Sequence, residues 1–256
     1  MTKAPIGFHA NHDGEEQQNE GFQTFVPPNA FELLEKENAV YIAALDFNDD
    51  VLTKIYAQRM LGDLVKQGFV PGYIGFPLAA SVQERVELQT EQFAQAVQQH
   101  PERTLEELTV LAGISPVVLW NYVAQDKGIP FAYLVDPKLR SSFGQFQEGA
   151  LGALQTLKLF EHQNLKSLAQ GKTPEEILYA ATIDQAIATY HVFAQNALEK
   201  LSEADDIAIA GNIAKAHQTY GKGFVIINNG SAPVVQKQLG VYGVKALLAT
   251  PQKKED

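Results

Sequence analysis

The residues best suited to acid–base chemistry are an aspartate, a tyrosine and a histidine in one predicted helix. Asp184, Tyr190 and His191 share a segment whose apolar side chains recur at helical spacing. Histidine is the side chain that most often transfers protons near neutral pH. Asp184 precedes His191 by two helical turns, about 10 Å at a rise of 1.5 Å per residue, so direct contact between them is excluded. A buried, hydrogen-bonded histidine at the edge of the apolar stripe is the structural alternative.

A second group of candidate ligands lies near the amino terminus. His9, His12 and Asp13 could hold a divalent ion weakly, but they fall in a polar segment without apolar periodicity. The chain contains no cysteine, which excludes disulfides, thiolate nucleophiles and thiolate zinc sites. The sequence Gly171-Lys172-Thr173 resembles the end of a phosphate-binding loop, yet helix capping accounts for it. We therefore predict no metal and no cofactor.

Residues 104–123 have the pattern of a helix-turn-helix, with a central glycine between two short helices. A DNA-reading helix exposes cations and amides, whereas this second helix is apolar on several faces and starts without a cation. The net charge of −10 and the pI near 5.1 also disfavour the phosphate contacts that dominate DNA affinity. Nucleic acid is thus an unfavoured partner, and burial of the second helix against protein is predicted.

Apolar side chains suggest a surface for protein contacts. Tyr179, Ile183 and Ile187 begin a stripe that continues for more than five helical turns, and such a stripe must be covered. Trp120 and Tyr122 belong to an aromatic-rich central region, which forms either a core or a contact surface for another chain. The partner we predict is protein, most simply a second copy of the same chain.

The order of elements predicts an α+β fold that is mainly α: a helical body, a long amphipathic helical hairpin and a small C-terminal strand-helix-strand element. The hairpin is predicted to pair a helix over residues 146–169 with one that begins at Thr173-Pro174. The further predictions are helices that start near residues 29, 48–50, 81 (capping box), 104 (capping box), 115, 202–205 (cap) and 231; strands over 129–135, 223–227 and 241–249; a strand or helix over 39–47; and a loop over 71–77.

Three parts are predicted along the chain. Residues 1–23 form a flexible or partner-ordered arm, residues 24–220 the helical body, and residues 221–256 the C-terminal segment packed on it. The first thirty residues lack the basic-then-apolar order of a signal peptide, and no apolar run reaches the length of a membrane span. A cytoplasmic protein without membrane insertion is expected.

The leading functional hypothesis is a non-enzymatic, self-associating structural or interaction protein that acts through helical surfaces. Two alternatives stay open. One is an enzyme or small-ligand-binding protein with a pocket between the helical body and the C-terminal strands, where His191, Tyr190 and Asp184 would act. The other is a helix-turn-helix transcriptional regulator.

Overall fold

A computed structural model shows the arrangement of most of the chain. It describes residues 22–24, 30–47, 50–138, 145–146, 148–153, 155–156, 158–159 and 174–253, and gives the backbone alone at residues 22–24, 30–31, 33, 50–56, 106, 174–183 and 251–253. The chain divides into two compact units. The first combines Met1–Leu134 with Ile209–Asp256, and the second is Val135–Ala208. The predicted three-part division stays a prediction, and residues 1–21 of its arm lie outside the described part.

The elements follow one another with short connections over much of the chain. The strands are β1 (Phe22–Thr24), β2 (Val40–Leu45), β3 (Tyr73–Ala79), β4 (Phe131–Val135), β5 (Gly223–Asn228), β6 (Ala246–Ala249) and β7 (Pro251–Lys253). The helices are α1 (Ala30–Lys36), α2 (Asp50–Lys66), α3 (Gln83–Gln99), α4 (Leu105–Leu111), α5 (Pro116–Lys127), α6 (Pro174–Tyr220) and α7 (Ala232–Val241), with a 3-10 turn at Ala80–Val82. The described residues between 145 and 159 are also helical.

A five-stranded sheet in the order β4-β3-β5-β2-β6 organises the larger unit. The pairs β3–β5, β5–β2 and β2–β6 are parallel, and the β2–β5 register runs from Val40 opposite Gly223 to Leu45 opposite Asn228. All six side chains of β2 are buried. A continuous apolar strand of this kind is typical of a parallel sheet covered on both faces. A separate antiparallel pair joins β1 to β7.

Helices cover the two faces of the sheet. On one face, Tyr41, Ala43 and Leu45 join a core that includes Met60 of α2 and Trp120 of α5. The alternate residues of β2 are buried outside that core, and so are the α7 side chains Ala232, Val235 and Leu239. Helix α7 contacts β6 and β2, so it packs on the opposite face from α2 and α5.

The directions of the connections between the parallel strands explain why the helices lie on opposite faces of the sheet. The chain passes from β2 to β3 across the position of β5, and from β5 to β6 across β2 in the opposite direction. Connections between parallel strands are right-handed in almost every protein, so opposite directions along the sheet place their helices on opposite faces. Helix α2 therefore leaves β2 on one face, and α7 leaves β5 on the other.

Several sequence predictions agree with the structure. Thr104 caps α4, with its side chain and that of Glu107 forming the reciprocal bonds of a capping box. Helix α5 begins at Pro116 and ends at Gly128, whose φ is 64°. Its buried residues include Val118, Leu119 and Trp120, which confirms that the second helix of the 104–123 segment packs against protein. Residues 40–45 form a strand, which settles the alternative left open at 39–47.

The predicted fold class is confirmed only in part. The chain is mixed α/β with more helix than strand, but its strands are not confined to a small C-terminal element, because β2 and β3 form one sheet with β5 and β6. The loop predicted over residues 71–77 was wrong, since Tyr73–Ala79 is a strand. Pro77 lies beyond the β3–β5 register, which runs from Tyr73 to Gly75, so it removes no donor from that pairing.

Helix boundaries also differ from expectation. The cap predicted at residues 202–205 was wrong, because α6 continues unbroken through them for 47 residues. Ser81 does not cap α3, which follows a 3-10 turn and has Val82 at its N-cap without a side-chain bond. The strand predicted over residues 241–249 covers only Ala246–Ala249, since α7 extends to Val241. Residues 160–173, which include the predicted hairpin connection, lie outside the described part.

A glycine just before β3 allows the backbone there to lie close to the backbone at the end of α6. A Cβ atom added at Gly72 would lie 1.9 Å from the carbonyl oxygen of Tyr220, and Gly72 N donates to Lys222 O at 2.7 Å. Both groups are backbone, so no side-chain rotation relieves the contact. The close contact between the end of α6 and the start of β3 therefore requires a residue without a side chain at this position.

We expect Gly72→Ala to lower the free energy of unfolding by roughly 1–3 kcal/mol, the usual cost of overpacking. Gly240→Ala is the matched control, because it lies in α7 with no atom within 4 Å of the added Cβ. The control should be neutral or should stabilise by up to about 1 kcal/mol, since alanine favours helix over glycine. Urea unfolding followed by Trp120 fluorescence measures both variants, and a Gly72→Ala protein as stable as wild type would contradict the prediction.

Candidate functional site

The strongest candidate site lies where β2 and β5 end. The two strands are neighbours and parallel, and their connections leave on opposite faces of the sheet. In open α/β sheets, this reversal leaves a crevice outside the carboxyl ends of the strands, where ligands bind. We call this region the carboxyl-edge site; it comprises Asp46, Phe47, Asn228, Asn229, Gly230 and Ser231.

Backbone hydrogen bonds fix the turn that forms one side of this site. Asn229 N donates to Leu45 O at 2.9 Å, which extends the β2–β5 pairing past its last register pair. Ser231 N donates to Asn228 O at 3.0 Å, and Gly230 N donates to Asn228 Oδ1 at 3.0 Å. Asn228 thus closes the turn with both its backbone and its side chain. Helix α7 begins directly after it.

The site combines polar groups with one half-buried aromatic side chain, Phe47. Asp46 and Asn229 are exposed, while Asn228 and Ser231 are half-buried. Ser231 stands at the N-cap of α7 without a side-chain capping bond, so its hydroxyl is not used for capping. Phe47 stacks on Phe76 with ring centroids 5.6 Å apart and an interplanar angle of 3°. A few polar groups beside an apolar surface are typical of small-molecule sites.

The three predicted acid–base residues lie in α6. Asp184 and His191 are exposed and Tyr190 is half-buried. The helical rise separates Asp184 and His191 by about 10 Å, as the sequence indicated. Their proposed catalytic role stays a prediction.

The predicted metal ligands His9, His12 and Asp13 lie outside the described residues. Within the part of the chain that the structure describes, no group of three or more histidine, aspartate or glutamate side chains is arranged to hold a metal ion.

The predicted interaction residues fall into different environments. Ile187 is buried on α6, whereas for Tyr179 and Ile183 only the backbone is described. Trp120 is fully buried and packs on Phe224 at 5.6 Å, so it occupies the core, the alternative that the sequence left open. Tyr122 is half-buried and meets Phe93 edge-on at 5.2 Å.

A different apolar surface is exposed on α6. Val192 and Phe193 are 61% and 62% exposed. They lie within residues 185–198, a stretch without any aspartate, glutamate, lysine or arginine. Both side chains fall outside the apolar stripe that contains Ile187, so the periodicity of that stripe does not identify them. The absence of charged residues over 185–198 is the sequence signal that identifies this region.

Two polar atoms buried in the core, the Tyr41 hydroxyl oxygen and Trp120 Nε1, have no hydrogen-bond partner among the residues that the structure describes. Both rings pack against Phe224, Tyr41 in a stacked geometry at 5.5 Å. Burial, with a smaller contribution from the charge of Asp63, raises the pKa of Tyr41 well above its ordinary value. Burial also raises the pKa of Tyr73, whose hydroxyl donates to Ile213 O at 3.4 Å.

No protein-family model, no curated protein and no solved structure matches this chain. Among the described helices, none combines the length and the apolar character needed to cross a membrane. The carboxyl-edge site therefore rests on its own geometry.

We expect alkaline pH to destabilise the protein through its buried tyrosines. An unfolded tyrosine ionises near pH 10, whereas the raised pKa values of Tyr41 and Tyr73 keep both neutral in the fold. Stability is therefore intact below about pH 10 and falls as the pH rises further, by up to roughly 1.4 kcal/mol per pH unit for each tyrosine.

Tyr41→Phe should make this decline shallower, and it should cost little at pH 7 because the hydroxyl it removes has no hydrogen-bond partner in the described part of the chain. Urea titrations between pH 7 and 11 provide the measurement, with Tyr242→Phe as a control for the loss of an exposed tyrosine. An alkaline slope identical in Tyr41→Phe and wild type would refute the assignment.

Proposed function

We propose that this chain binds a small polar molecule at the carboxyl-edge site, either as a binding protein or as an enzyme. The observation that supports it most is the reversal of the connections between the adjacent parallel strands β2 and β5. This reversal keeps the ends of both strands free of a common covering helix. The proposal keeps the small-ligand alternative from the sequence but moves its site away from His191.

The chemistry of the site indicates the class of ligand. The Asp46 carboxylate accepts hydrogen bonds, and amide groups of Asn228 and Asn229 offer donors and acceptors. Phe47, which is half-buried and stacked on the buried ring of Phe76, adds an apolar group next to Asp46. A molecule with several hydroxyl or amino groups and one apolar face, such as a nucleoside or a sugar, fits this combination.

We expect ligand-observed NMR with a panel of neutral nucleosides, monosaccharides and amino sugars to find binders that shift the amides of Gly230 and Ser231. Asp46→Asn should weaken each binder by about tenfold or more, since hydrogen bonds to charged groups contribute most. Glu91→Gln makes the same change of charge at an exposed site in α3 and should leave affinity unchanged. Binders that keep full affinity in Asp46→Asn, or a panel that shifts neither amide, would sink the proposal.

A second candidate function, self-association, is favoured by the exposed apolar surface of α6. Large apolar side chains that are side by side and exposed often mark a protein contact. A net charge of −10 opposes contact between copies, but residues 185–198 carry no formal charge and so avoid that repulsion. A symmetric contact would use the same stretch from both copies.

We expect sedimentation velocity to show concentration-dependent association of the wild-type chain in the micromolar range. Phe193→Ser should weaken it by about tenfold or more, if this side chain is one of the few that dominate the contact. Leu88→Ser is the control, because Leu88 is 57% exposed on α3. A wild-type protein that stays strictly monomeric, or equal effects of the two substitutions, would contradict this function.

The third alternative, a DNA-binding regulator, gains no support from the described residues of α5. The exposed residues of this helix are Gln125, Asp126 and Lys127, and the Lys127 ammonium lies 2.9 Å from the Asp126 carboxylate.

A further inference from the structure

The turn at the carboxyl-edge site contains Asn229-Gly230, the one Asn-Gly sequence in the chain. Both residues are exposed, and Gly230 has no side chain to block its backbone nitrogen. In such a pair, the glycine nitrogen can attack the asparagine side chain. The geometry points to Asn229 as a site of spontaneous deamidation whose rate is held down by the side chain of Asn228; this is our proposal.

The reaction needs only water. The Gly230 amide loses its proton to solvent, and its nitrogen forms a bond to Cγ of Asn229. The Cγ–Nδ2 bond breaks, and ammonia leaves after taking up a proton. Water then opens the resulting succinimide at either carbonyl, which yields aspartate or isoaspartate at position 229.

Asn228 controls the first step because it holds the proton that must leave. Gly230 N donates this proton to Asn228 Oδ1 at 3.0 Å. A hydrogen bond that stabilises the protonated amide disfavours the deprotonated, reactive form. The bond from Ser231 N to Asn228 O, also 3.0 Å, holds the rest of the turn in place. Asn228 is therefore a positioning residue that protects its neighbour.

Deamidation would change the charge of the site. A carboxylate at position 229 would stand next to the end of β2, since Asn229 N bonds to Leu45 O, and would lie before the N-terminus of α7. An isoaspartate would also lengthen the backbone by one methylene and shift Gly230 from Asn228. The proposal does not depend on ligand binding, so the two fail independently.

The test follows Asn229 in the purified full chain during incubation in ¹⁸O-water at mildly alkaline pH, with peptide mapping by mass spectrometry. Folded wild type should convert slowly to labelled aspartate and isoaspartate. Asn228→Ala should convert about fivefold faster, the rate equivalent of one ordinary hydrogen bond. Asn228→Asp, which keeps an acceptor oxygen, should stay close to wild type.

Two comparisons separate protection from altered folding. In concentrated urea, wild type and Asn228→Ala should convert at the same rate, because the turn is absent. Gly230→Ala should suppress conversion at Asn229; its added Cβ lies 3.5 Å from Asn228 Oδ1, an ordinary contact that the turn accommodates. Equal folded-state rates for wild type and Asn228→Ala would overturn the proposal, as would no conversion in folded Asn228→Ala or undiminished conversion in Gly230→Ala.

Discussion

Burial of β2 on both of its faces is the constraint on which the rest of the larger unit depends. Its six side chains are no more than 1% exposed. Water must therefore be excluded from both sides of the sheet, and one helical layer cannot do this. The chain meets the requirement by sending successive connections in opposite directions along the sheet. The reversal that creates the carboxyl-edge site is thus a consequence of covering the core.

The opposite end of the sheet contains two close backbone approaches. Gly72 and Gly223 lie at the start of neighbouring strands, and a Cβ at Gly223 would lie 2.3 Å from the Tyr73 ring. The Tyr73 hydroxyl in turn reaches the backbone of α6 at Ile213. Backbone and aromatic groups are in close contact at this end, while a turn and several polar side chains lie at the carboxyl end.

The two proposed functions rest on different physics. Ligand binding would use a few oriented polar groups at the end of a rigid sheet. Self-association would use exposed apolar area on α6, where a lack of charge over residues 185–198 lets acidic chains approach each other. They use separate residues and are compatible with each other. Neither of these two functions requires Asp184, Tyr190 or His191.

The sequence by itself determined the local structure. Thr104 and Glu107 specify a cap, Pro116 and Gly128 delimit α5, and Val, Ile and Phe specify β5, because each depends on neighbours along the chain. It did not identify β3, since Gly75 and Pro77 resemble a loop until β4 and β5 lie beside them. It placed a break at 202–205, where residues compatible with a cap are equally compatible with a continuous helix.

Only the tertiary structure decided the strand order and therefore the site. Asp46 and Asn228 are 182 positions apart, and Asp46 falls in the segment 39–47 that the sequence predicts as a strand or a helix. Nothing in the periodicity of either segment indicates that β2 pairs with β5, because parallel pairing joins strands that are distant in sequence. Periodicity also places apolar side chains on one face of a helix, but it does not show which of them are buried by other elements. That depends on contacts between elements, which buried Trp120 and left Phe193 exposed.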